Sequence, residues 1–108
     1  MTSPLTTHIL DATTGSPATA VDVVLTDAAG SEIARGLTDA DGRLGLGTDA
    51  LAPGDYALSF ATGAYFAASG VAAFYPSVTV AFTITDPARH YHVPLLLSPF
   101  AYSTYRGS

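Results

Sequence analysis

The sequence contains no cysteine, which removes disulfides, thiolate nucleophiles and sulfur-ligated zinc together. It also contains no lysine. Its four basic residues are all arginine and stand against nine Asp and Glu, giving a net charge of -5 and a pI near 4.6. That sign opposes any protein held to phosphate backbones by counterion release, so nucleic-acid binding is not expected. The missing lysine, with no Gly-rich run of the right spacing, leaves nothing to build a phosphate loop. No basic leader, apolar leader core or uninterrupted run of about 18 apolar residues is present, so a cytosolic chain is expected.

Charge of either sign is scarce, at 12% of residues, whereas 48% are hydrophobic and the mean hydropathy is +0.33. Disorder is therefore excluded as the ground state. At 108 residues the chain is one domain, too short for a dinucleotide-binding or α/β-barrel enzyme. So small a domain exposes much of its surface, and so little charge on it implies that other copies of the chain cover part of it.

Turn chemistry recurs at short intervals: Gly15-Ser16-Pro17, Asp27 to Gly30, Asp39-Ala40-Asp41-Gly42, Pro53-Gly54-Asp55, Asp86-Pro87 and Ser98-Pro99. This spacing predicts an all-β protein with eight strands near 5–11, 21–27, 32–38, 42–46, 55–62, 77–85, 89–98 and 101–107. The Ala-rich, aromatic segment 63–70 lacks alternation and predicts a short helix. Residues two apart on a strand share a face. Tyr91, Val93, Leu95 and Leu97 then form an apolar face, with His90 and His92 on the opposite side. In the first strand Leu5, Thr7 and Ile9 face one way, and Thr6, His8 and Leu10 the other. Pro94 marks a bulge, an edge or a non-bonding position.

The three histidines show no local metal-ligand spacing, and no metal site is expected. Asp39 and Asp41 belong to hairpin chemistry, since the distal Glu of a calcium loop is missing. No nucleophile-elbow motif supports a serine hydrolase. The least ordinary segment is the end, where two tyrosines, an arginine and small polar residues fill the last eight positions. Paired to 89–98 through a tight connection, its alternation places Ser103, Tyr105 and Gly107 on one side and Tyr102, Thr104 and Arg106 on the other. One set then lies beside His92.

The segments LTTHILDATTGSPA, TDADGR, GDYALSFATGAYF and above all HYHVPLLLSPFAYSTYRGS resemble the transthyretin-related 5-hydroxyisourate hydrolase family over essentially the whole chain. The early motifs also occur in non-enzymatic β-sandwich modules; Tyr91 to Pro94 and Tyr105 to Ser108 are the specific ones. The resemblance implies a transthyretin-like sandwich of two four-stranded sheets, a short helix after the fifth strand, and a homotetramer with clefts between dimers. It implies hydrolysis of the N1–C6 amide of 5-hydroxyisourate to 2-oxo-4-hydroxy-4-carboxy-5-ureidoimidazoline, with no cofactor and no metal. It also implies site residues: His8, Arg43, His92 and Ser108 as catalytic groups, and His8, Arg43, Tyr105 and Arg106 as substrate-binding groups, while His90 is carried into no role. Hormone carriage is the weaker reading, because the carrier has a lysine on the first strand where this chain has His8. A non-catalytic binding module of the same fold is the competing class.

Overall fold

Alternation of buried and half-buried residues, broken only at Pro94, marks the two strands on which the rest is assembled. In β1 (Leu5–Asp11) the side chains of Leu5, Thr7, Ile9 and Asp11 are buried, and in β8 (Tyr91–Ser98) so are those of Tyr91, Val93, Leu95 and Leu97. The computed structural model describes residues 3–47 and 49–107. Between these strands come β2 (Ser16–Pro17), β3 (Asp22–Asp27), β4 (Glu32–Leu37), β5 (Arg43–Leu46), β6 (Gly54–Phe60), the helix α1 (Thr62–Ala68) and β7 (Val78–Ile84). β9 (Ala101–Thr104) follows β8.

The strands form two sheets. One runs β4-β3-β6-β7, antiparallel throughout. The other runs β2-β1-β8-β9, with β5 also paired to β1. Its β1–β8 pair is parallel. The expected width of four strands and the observed count of five are compatible, because β5 and β2 share one edge of β1. β5 pairs with residues 5–8 and β2 with residues 10–11. The two-residue β2 lies where the sequence reads as turn alone, since a ladder this short leaves no alternation to detect. The facing sides enclose Leu5, Ile9, Leu46, Leu95 and Leu97 from one sheet and Val23, Leu25, Leu58, Phe60 and Val78 from the other. Each such side chain contributes about 1.5–3 kcal/mol by leaving water.

Most expected strand boundaries shift by one residue or more, and two of the shifts bear on the C-terminal segment. β8 begins at Tyr91 and not at residue 89, and β9 ends at Thr104 and not at 107. The second follows from Pro94. β8 is a central strand, and its ladder to β9 stops at Leu95↔Thr104, beside the residue with no N–H to continue it. The Thr104 hydroxyl bonds the Pro94 carbonyl at 2.7 Å instead.

The helix is displaced by one or two residues from the expected segment. It buries Phe66 and ends where Gly70 takes φ +70 and its N–H bonds the Ala67 carbonyl. Tyr65 ties it to the sheet: its hydroxyl donates to Asp11 Oδ2 at 2.8 Å, while the Thr13 N–H donates to Oδ1 at 2.9 Å. Burial first, and then this bond to Asp11, push the Tyr65 phenol up to about 12. The folded state thus resists ionisation more than the unfolded chain does. The associated stability is whole below pH 10 and is lost as pH rises from 10 toward 12. Tyr65→Phe is expected to lower stability by about 1 kcal/mol at neutral pH and to flatten the alkaline decline, as measured by urea unfolding across pH.

Candidate active site

The D-A-D-G segment before β5 forms the turn its composition predicts, and the turn aims Arg43. Asp39 Oδ1 accepts the backbone N–H groups of Asp41 and Arg43, each at 2.9 Å, and the Asp39 N–H donates to the Arg43 carbonyl at 3.0 Å. The Arg43 N–H is the main cause holding the Asp39 carboxyl below its ordinary value. Gly42 closes the turn at φ +73, where a Cβ would stand 2.5 Å from the Ile9 carbonyl oxygen. From this anchor the antiparallel β1–β5 register sets Arg43 directly opposite His8, on one face of the sheet.

The parallel β1–β8 register sets Thr6 opposite His92 and His8 opposite Pro94. The Thr6 hydroxyl lies 2.8 Å from His92 Nδ1 and 2.9 Å from His90 Nε2, and His90 Nδ1 lies 2.9 Å from the Ser3 carbonyl oxygen. Burial is the chief cause that lowers the His92 pKa. A backbone contact with Thr6 opposes it, and the charges of Arg43, His8 and His90 add to the lowering. His92 is accordingly a neutral imidazole at pH 7, with one nitrogen lone pair available.

Arg43 and His92 line a cleft of about 490 Å³, together with Thr6, Asp39 and His90. His92 also forms a wall of a second pocket of about 380 Å³ that holds Tyr105, Arg106, Tyr91 and Thr104. After β9 the tail lifts off the sheet at residues 105 and 106, then pairs again at His92↔Gly107 in the register already set by Leu95↔Thr104. The Gly107 N–H donates to the His92 carbonyl at 2.9 Å. A Cβ on Gly107 would overlap the His92 ring, so only glycine lets the tail lie there.

The structure therefore brings His8, Arg43 and His92 to one sheet face. It places Tyr105 and Arg106 in the second pocket, which has only His92 in common with the cleft and is lined otherwise mainly by β7, Tyr91 and Val93. The alternation expected along the tail fails after Thr104, since Thr104, Tyr105 and Arg106 all line one pocket. Arg106 holds its guanidinium 5.7 Å above the Tyr91 ring. Ser108 lies outside the described residues. Thr6 and His90 were not expected at the site; the shared parity of Thr6 with His8, and of His90 with His92, was the signal available.

The fold and site together define a transthyretin-type sandwich with an imidazole- and arginine-lined cleft on an outer sheet face. The chain belongs to the HIUase/Transthyretin family, whose model matches residues 5–107. It is 48% identical over 109 residues to the 5-hydroxyisourate hydrolase of Salmonella dublin, covering 96% of this chain and 80% of that one. Among solved structures, the 5-hydroxyisourate hydrolase of Klebsiella pneumoniae superposes with a TM-score of 0.88 at 41% identity, covering 96% of this chain and 98% of that one. Sea bream transthyretin in complex with thyroxine superposes with a TM-score of 0.90 at 38% identity, covering 96% and 94%. Backbone likeness does not separate the two activities, so the side chains of the site must.

The environment of His92 can be read directly. Its ring resonances are expected to titrate with a midpoint below the ordinary 6.5. Arg43→Met, which removes a neighbouring positive charge that disfavours the imidazolium, is expected to move that midpoint upward, as followed by proton NMR.

Proposed function

We propose that the chain hydrolyses 5-hydroxyisourate in urate breakdown by opening its N1–C6 amide with water, using His8, Arg43 and His92. The observation that carries this reading is the meeting of the neutral His92 imidazole and the Arg43 guanidinium around one small cleft, with His8 opposite Arg43 on the same sheet face. Amide hydrolysis needs a base for water, donors for the tetrahedral oxyanion and an acid for the leaving nitrogen. His92 and His8 orient the water and carry protons between it and the leaving nitrogen. Arg43 binds substrate oxygens and stabilises the negative charge that develops when water adds to the carbonyl carbon. Nothing in this scheme calls for a cofactor. A hormone carrier would not need an imidazole held neutral beside a guanidinium, and this feature favours catalysis over carriage.

Tyr105 and Ser108 are proposed to hydrogen-bond the ring, with Ser108 completing the catalytic groups. Arg106 is proposed to contact substrate or to fix the tail, and its position over Tyr91 supports the fixing role. A homotetramer is proposed as the working assembly. Leu37, Phe100 and Tyr105 are 60%, 68% and 60% exposed, and every residue of β9 is exposed, which supports burial against other copies of the chain. A cytoplasmic location belongs to the same proposal; no helix among the described residues is long and apolar enough to cross a membrane.

Purified protein mixed with freshly generated 5-hydroxyisourate is expected to speed the ultraviolet decay of that compound; a binder would leave the rate unchanged. His92→Asn and Arg43→Ala are each expected to leave a folded tetramer with activity lowered by about 10²–10⁴. Near-normal turnover in either variant would remove these roles. Deleting residues 105–108 is expected to reduce turnover far more than thermal stability, since the described residues of that segment add nothing fully buried to the core. A loss confined to stability would make the tail structural.

A further inference from the structure

The Thr6 hydroxyl touches two imidazoles, and a hydroxyl has one hydrogen to give. We propose that His90 is a positioning residue which, acting through Thr6, holds His92 as the Nδ1–H tautomer and so leaves the His92 Nε2 lone pair free to take a proton from water. The proposal rests on the reading that His92 acts in hydrolysis, and it identifies His92 as the imidazole that starts the reaction as base.

The assignment follows from counting hydrogens along one chain of contacts. The Ser3 carbonyl can only accept, so the hydrogen between it and His90 sits on His90 Nδ1. A neutral imidazole carries one such hydrogen, so His90 Nε2 is an acceptor. The only hydrogen able to join it to Thr6 is that of the hydroxyl itself. With that hydrogen committed, the Thr6 oxygen can only accept from His92, which places the hydrogen of His92 on Nδ1. His92 Nε2 makes no hydrogen bond among the described residues, so its lone pair is unclaimed.

The groups facing His90 are Asp39, Arg43 and His92 on the cleft side and Asp49 and Arg89 on the outer side. His90 is exposed, so replacing it leaves the core intact.

Only three histidines are present, so long-range proton–nitrogen correlation spectra of the whole protein labelled with ¹⁵N-histidine report each ring separately. At neutral pH, His92 is expected as Nδ1–H. Thr6→Val, which keeps the β-branched shape and removes the hydroxyl, and His90→Ala are expected to abolish the preference. Each is also expected to lower kcat on the order of 10-fold, with KM changed less than about 2-fold, less than the loss of the base itself. His90→Gln offers an acceptor for the Thr6 hydroxyl. It is expected to recover most of the kcat lost in His90→Ala and to keep the Nδ1–H tautomer. His92 found as Nε2–H at neutral pH, or a tautomer unmoved by Thr6→Val and His90→Ala, would overturn the proposal, as would unchanged kcat in both variants. The spectra contain no substrate, so they test the tautomer independently of whether His92 works in turnover, which the activity of His92→Asn decides.

Discussion

The parallel pairing of β1 with β8 is the constraint on which the remaining geometry depends. It joins segments 86 residues apart, from Leu5↔Tyr91 to Asp11↔Leu97. Both strands carry their large apolar side chains on the inner face, so a slip of one residue would turn Leu5, Ile9, Leu95 and Leu97 toward water. Burial of those side chains fixes the register, and the register fixes which polar groups meet outside. The core and the site are opposite faces of one set of hydrogen bonds. A pairing of such sequence separation closes a long loop before it is rewarded, which implies slow folding for a chain of this size.

Electrostatics at the site run against the character of the molecule. The chain as a whole is acidic, yet three imidazoles and Arg43 converge on the outer face of the β1–β8 sheet, with Asp39 held at the turn that presents the guanidinium. Mutual repulsion among these groups discourages extra protons and helps keep His92 neutral. An oxygen-rich ring with developing negative charge is what such a surface receives well, whereas a second cation is not.

Much of this was legible in the residues. Period-2 alternation identified the inner faces of β1 and β8 correctly because each strand is buried on one side and wetter on the other. It also put His8 and His92 off the core. The Asp39 turn was readable because Asp and Gly occupy such turns for local reasons. What alternation could not give was register between distant strands, and therefore the meeting of Thr6 with His90 and His92. Nor could it show where the tail leaves the sheet, since that depends on which neighbour would have received the hydrogen bond that Pro94 does not make. The two-residue β2 escaped for lack of length.

The detour at residues 105 and 106 is fastened at Thr104 and again at Gly107, with no change of register between. A free chain end gives up its conformational entropy at the moment it closes over a guest. This one has already surrendered most of that freedom during folding, so affinity gained through its side chains is not offset by the cost of ordering a tail.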